Sequence, residues 1–417
     1  MRRSEFVGFM ALIVVVLTAA ATGCGVQGYP GPERVDLNAL DTGVHSRLPM
    51  PEPTEDNEKY GRVLESVRMG EAMAGPAEVD PTLIYPGVGF GGVPLSTPAA
   101  AVSFLALPVR TVLERYGLIA GFAVSGSDRS LDDKAEIGTV RLLTVLVLRF
   151  PEPTAARRAA SEIDSVDAAI SADNVAVEIP GYGGAHAHWR PKVPTMAVSI
   201  AQESFVVSLL VGHTAPDLGA LTTLARRALD LQIPRLRAFT ATPRDEIAAL
   251  PLDQEGMLAR MVPPAPRRWP YPGMASFGGQ GTAGWDSLGS PTGVVYGPHA
   301  AELLLGSSKP ERPERVAFNG LEILFRYSDV VQARKVFVDV PAVDEQAGTF
   351  RIPSPVAIAD VSCVESPETA KKETLVRYSC AVLHGRYLAV LHGRDLTDFR
   401  RRVAAQYALL VNSGSPS

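Results

Sequence analysis

The chain has 417 residues, 40 basic and 45 acidic side chains, a formal net charge of −5 and 46% hydrophobic residues. That balance excludes general electrostatic attraction to nucleic acid or to an anionic surface. The hydrophobic content is that of a folded protein, and the length exceeds one ordinary core, so two domains are expected.

The first elements concern address. Two arginines stand at residues 2 and 3, and residues 6–23 run without a charge. The run is at the short limit for a membrane-spanning helix, so its end decides between a span and a signal peptide. Ala21, Thr22 and Gly23 place small residues directly before Cys24, the first of three cysteines. This "ATGC" is similar to a bacterial lipobox, in which the cysteine becomes the lipidated N-terminus, although Ala21 stands where leucine is usual. The expectation is a signal peptide over 1–23, a diacylglyceryl and palmitate anchor on Cys24, and a Gly/Pro-rich tether over 24–35. Two acyl chains make a stable anchor where one gives reversible binding. The tether reaches roughly 40 Å at most, so the exported body is expected close to the outer leaflet, on the extracytoplasmic side of the cell membrane. Cleavage removes two arginines and one glutamate and leaves a net charge of −6.

In "YPGVGFGG" (85–92), Gly87, Gly89 and Gly92 have G-x-G-x-x-G spacing. A dinucleotide site needs that turn between a strand and a helix. Prolines flank it here, so a plain glycine turn and no cofactor are expected. "VLVLRF" (145–150) reads as a buried strand and is followed by an amphipathic helix. In "GGAHAHWRP" (183–191) an extended backbone puts His186 and His188 on one side, close enough to share a metal, with His213 as a third ligand. The competing reading is a pair of hydrogen-bonded or exposed histidines on a loop or edge strand. "TMAVSI" alternates as a strand does. A helix then starts near Thr214 and Asp217. It places Leu218, Leu221, Leu224, Ala228 and Leu231 on one face and is expected to exit at Pro234.

The boundary falls near 235–250, giving a first domain over 36–240 and a second over 241–417. The second opens on a long Gly/Pro-rich stretch, 262–298. Its Trp269, Tyr271 and Trp285, with Tyr85 of the first domain, form a candidate aromatic rim for a glycan, lipid or protein partner. The competing reading is loop packing. "GWDSLG" (284–289) has Trp285 where a nucleophile elbow has glycine. Cys363 and Cys380 sit in strand-like runs on either side of a polar loop. An exported protein meets oxidising conditions, so they read as a disulfide, which would stabilise by roughly 3 kcal/mol in the chain-entropy model. No cysteine is then left as a nucleophile. Asp395 caps a last helix with Leu396, Phe399, Val403, Tyr407 and Leu410 on one face. Arg226 and Arg227, and Arg400 to Arg402, read as solvated charge on the opposite faces.

Three segments echo three others in the same order: 85–92 with 271–279, 145–161 with 321–337, and 201–229 with 383–409. Arg149 falls on Arg326. The chain therefore reads as α+β. Two duplicated domains, each expected to be ferredoxin-like, have mainly antiparallel sheets with helices on one face.

"ATGC", "VDLNALDTG" (35–43), "ESVRMGEAMAGPAEVDP" (65–81) and "GVVYGPHAAELL" (293–304) together carry a resemblance to a family of uncharacterised actinobacterial lipoproteins, of the kind common in mycobacteria. The resemblance spans most of the chain. It implies a place in the cell envelope and a two-part fold, and carries no activity with it. The functional expectation is binding of an envelope ligand or protein without catalysis. The alternatives are an envelope hydrolase or carbohydrate-active enzyme, and a metal-handling lipoprotein using His186 and His188.

Overall fold

Strand segments such as "LLTVLVLR" are apolar on both faces, so both faces must be covered. In the computed structural model the described residues are 35–86, 92–129, 138–276, 289–305, 311–346, 349–354, 358–366 and 376–414. Cys24 and its flanking signal and tether, Gly87, Gly89 and Trp285 lie outside them. The described residues from Leu40 onward form one compact unit.

The first half opens with helix α1 (Glu58–Met69), whose N-terminal amides are capped by Asn57. Short helices α2 (Pro76–Val79), α3 (Pro98–Ala101) and α4 (Val109–Arg115) follow around strands β1 (Tyr85–Pro86) and β2 (Gly92–Pro94). Then come β3 (Ala120–Ser127), β4 (Leu142–Arg149), helix α5 (Pro153–Ala168), β5 (Val175–Ala176), β6 (His186–Trp189), β7 (Thr195–Gln202), β8 (Phe205–Gly212) and helix α6 (Leu218–Ala238). The sheet order is β1-β3-β4-β8-β7-β6-β5, with β2 also on β3. All its pairings are antiparallel. Strands β4 and β7 therefore run parallel to each other, with β8 between them.

The second half repeats this order. Strands β9 (Gly273–Ser276) and β10 (Gly289–Tyr296), helix α7 (Pro298–Leu305), and strands β11 (Arg315–Asn319) and β12 (Glu322–Arg326) lead to helix α8 (Val330–Gln346). Strands β13 (Phe350–Ile352), β14 (Val361–Glu365), β15 (Tyr378–His384) and β16 (Tyr387–Gly393) lead to helix α9 (Leu396–Asn412). The sheet order is β13-β14-β15-β16-β12-β11-β10-β9. Cys363 and Cys380 are paired across β14 and β15 and form a disulfide.

The structure corrects four expectations. Helices cover both faces of the sheets, not one. Helix α5 packs on the face of Leu146, Leu148 and Val206; the alternating residues Val145, Val147, Val207 and Leu209 are equally buried, on the side where α6 runs along β7 and β8. Helix α6 is capped by Asp217, which accepts from Ala220 N at 3.0 Å, rather than by Thr214. It continues through Pro234 to Ala238, because Arg235 pairs with Glu78 at 2.7 Å and Leu236 is buried, which holds the last turn in place. Arg402 is not solvated charge; it is mostly buried against Glu322.

Two glutamines mark equivalent points of the halves. Gln232 of α6 is fully buried. Its Nε2 donates to Ala72 O and its Oε1 accepts from Ala74 N, both at 2.8 Å. Gln406 of α9 does the same to Arg260 O at 2.6 Å and Val262 N at 3.0 Å. Each clamps the chain just after a 3-10 turn, Gly70–Ala72 or Leu258–Arg260. A buried amide or carbonyl left without a partner costs about 1–3 kcal/mol. Gln232→Leu strands one of each, so urea unfolding should show a loss of about 2–4 kcal/mol. Gln232→Glu at low pH, where the protonated acid can both donate and accept, should recover part of it. A Leu variant as stable as the parent would contradict the clamp.

Candidate functional site

Helix α1 belongs to both halves. Gly61 lets the carbonyl of Ile247 approach so closely that an added Cβ would lie 1.8 Å from it. Just past the helix end, Gly70 is pressed between Ala300 of α7 and the ring of Phe122 on β3. Tyr60 stacks on Tyr271 at 4.7 Å. Tyr296, at the end of β10, meets Phe122 of the first sheet and Phe318 of its own sheet edge-on, at 6.4 and 5.5 Å.

One carboxylate sits at the centre of this arrangement. Glu65 of α1 is fully buried. Its Oε1 accepts from Arg149 Nη1 at 2.5 Å and from Thr242 N at 3.2 Å. Its Oε2 accepts from Arg68 Nη1 at 2.6 Å and Thr242 Oγ1 at 2.7 Å. Arg149 Nη2 donates to Thr242 O at 2.5 Å. Burial pushes the Arg149 guanidinium below its ordinary pKa, against the pull of Glu65. The second half has a counterpart. Arg326, at the end of β12, pairs with Glu255, and Glu255 also pairs with Arg315 at 2.9 Å. Glu255 occupies the left-handed region, φ 60°, an arrangement that is strained for a residue with a side chain. Burial would raise its carboxyl, but Arg326 and Arg315 hold it below the usual range. Each half thus has an Arg–Glu–Arg chain running from a strand end outward.

The outer arginines, Arg68 and Arg315, line the same cavity, of about 270 Å3, between the halves. Its walls include Leu64, Val67, Phe239, Leu252 and Val295. Glu71 also lines it, but its carboxylate accepts from Ala300 N at 2.9 Å and His299 N at 3.3 Å, capping α7 across the junction. The accessible wall is mixed, with polar groups at least as prominent as apolar ones.

The sequence-derived candidates fall elsewhere. His188 is buried on β6 between two acids of α5, with Nδ1 2.7 Å from Asp164 and Nε2 3.5 Å from Asp167. Helix spacing sets these acids one turn apart over the strand, so they take up both ring nitrogens. His186 is exposed, and His213 Nδ1 accepts from Ala215 N. Among the described residues no group of three or more His, Cys, Asp or Glu is placed to hold a metal. Trp269 is not a rim residue; it is 5% exposed and lines a small pocket together with Leu48, Met50 and Leu409. Tyr85 is exposed on β1 beside a smaller cavity, and Tyr271 is taken up by Tyr60. Gly92 opens a strand, not a helix, and an added Cβ would meet the Phe122 ring at 2.9 Å. Sequence reading missed Glu65, Arg68, Glu71, Glu255 and Arg315. The signal for Glu65 was present: an acid inside the apolar run of "RVLESV".

The chain belongs to the DUF7373 family. That family's N-terminal domain of unknown function matches residues 52–252, and its C-terminal domain matches residues 257–413. No curated protein matches the chain. Among solved structures, the extracellular domain of PknH from Mycobacterium tuberculosis is similar at a TM-score of 0.30 and 11% identity, covering 46% of this chain and 100% of that one.

Removing one partner of a buried ion pair leaves the other charge uncompensated, which typically costs about 3–5 kcal/mol. Glu65→Leu should destabilise by about that much in urea unfolding. The double variant Glu65→Leu with Arg149→Met should be more stable than the single. If the second change deepens the loss instead, the pair is not coupled as drawn.

Proposed function

We propose that this chain is a lipid-anchored cell-envelope protein that binds a small ligand in the cavity between its halves and does not transform it. The observation carrying the binding reading is the cavity itself, into which both Arg–Glu–Arg chains deliver their outer guanidinium. Its placement between two similar halves is one where ligand sites recur. The absence of chemistry in this reading rests on how its groups are engaged. General acid–base work needs a group free to exchange a proton near neutrality. Here the ionisable groups of the wall are Arg68 and Arg315, engaged by Glu65 and Glu255, and Glu71, engaged by the α7 amides.

The envelope address rests on the "ATGC" at Cys24 and on the paired cysteines, which suit an oxidising compartment. Among the described residues no helix is long and apolar enough to cross a membrane. Each half is read as a ferredoxin-like core whose fourth strand comes ahead of the first. What supports this is the crossover from β4 through α5 to β7 with β8 between, repeated by β12, α8, β15 and β16.

Mass spectrometry of small molecules retained by the purified full-length protein tests the site. Val295→Phe fills the cavity and should abolish retention while leaving thermal unfolding cooperative. Unchanged retention would place the ligand elsewhere. For the anchor, Cys24→Ala should leave an uncleaved precursor without lipid. A variant of mature size that still fractionates with membranes would refute the assignment.

A further inference from the structure

The charge count around the cavity says more than its shape. In the first half, Arg68 and Arg149 share one carboxylate, Glu65. In the second, Arg315, Arg326 and Arg386 share two, Glu255 and Glu314. Each cluster therefore carries one positive charge in excess. Both surpluses sit where burial is deep, since the side chains of Arg149 and Arg326 are 8% and 9% exposed. The first opens on the cavity through Arg68 and the second through Arg315, whose side chains are 32% and 26% exposed; the second also ends outside the cavity at Arg386.

The donors point the same way. Arg68 uses Nη1 on Glu65 and Thr242 and one Nη2 hydrogen on Thr240 O at 3.3 Å. Arg315 uses Nε and Nη2 on Glu255 and one Nη1 hydrogen on Glu314 O. A guanidinium has five N–H groups, so each keeps two that are without partners among the described residues. Glu71 offsets only part of the surplus, because its charge is directed at the α7 N-terminus, where backbone amides and the helix dipole stabilise an anion.

We propose that the cavity selects a small organic anion, a carboxylate or phosphate monoester on an apolar body, with the charged end between Arg68 and Arg315. The inference rests on the cavity being the binding site. A charge-assisted hydrogen bond from guanidinium to an oxyanion is about twice as strong as a neutral one. The apolar body would lie against Leu64, Val67, Phe239 and Val295.

Benzoate, benzamide and benzamidine have nearly one shape and carry charges of −1, 0 and +1 at pH 7. Their binding to the full-length protein in a non-ionic detergent can be followed by ligand-observed NMR. Benzoate should bind at least tenfold tighter than benzamide, and benzamidine weakest. Phenyl phosphate separates the two head groups: binding tighter than benzoate favours the phosphate ester, and weaker binding favours the carboxylate. Arg315→Gln should weaken benzoate at least tenfold and leave benzamide unchanged. Glu71→Gln, which keeps an acceptor for the α7 amides, should tighten benzoate severalfold. Benzamide or benzamidine binding as well as benzoate would overturn the anion assignment while leaving the cavity as a binding site. No binding of any probe would also overturn it. The cavity reading itself stands or falls separately, on whether Val295→Phe abolishes the retained molecule.

Discussion

A carboxylate buried in the middle of a protein is tolerated only where charged and hydrogen-bonding partners surround it. Glu65 is such a group, and much of the architecture can be read as meeting its needs. It fixes α1 over the end of β4, where Arg149 emerges. It draws the segment after α6 back to the same point through Thr242. That segment is the one that leads into the second half. The ion network therefore sets where the first half ends and from which direction the second begins.

The second half has a related network built differently: there the buried member is Arg326, and the carboxylate is exposed. Its carboxylate, Glu255, comes from a tight turn rather than a helix, and takes a left-handed backbone to reach Arg326. The glutamine clamps repeat at Gln232 and Gln406. The repeat is thus visible in polar contacts as well as in strand order. The halves do not merely sit side by side. Glu71 caps a helix of the other half, Tyr296 meets rings from both sheets, and residues 41–47 dock on α9 through Asp41, His45 and the Arg47 carbonyl. A cavity lined by residues from both halves follows from this stitching, because the rigid walls on each side belong to different sheets.

Much of this is legible in the amino-acid sequence. Apolar or alternating runs predicted β4, β7, β14 and β15, and helical spacing predicted α6 and α9, because burial of a face leaves a periodic trace. Arg149 was matched to Arg326 by alignment of the halves alone. The segments "ESVRMGEAMAGPAEVDP" and "GVVYGPHAAELL" stood out as motifs without a chemical role. They meet at the junction, the first supplying Glu65, Arg68 and Glu71, the second Tyr296 and the capped start of α7. Histidines and aromatics drew attention instead, because their chemistry is recognisable at short range. Yet His188 answers to Asp164 and Asp167, and Trp269 to apolar neighbours.

What the sequence by itself determined is therefore local and periodic: the class of fold, the two-part organisation, and the strands and helices with strong faces. Adjacent residues encode these through spacing, and no distant contact is needed to read them. The tertiary structure decided which charges meet. Glu65 lies 84 residues from Arg149 and 177 from Thr242 along the chain, and nothing periodic links them. Only folding brings both arginine-rich clusters to one cavity, because the partners of buried Glu65 and of buried Arg326 are carried in by elements distant in the chain.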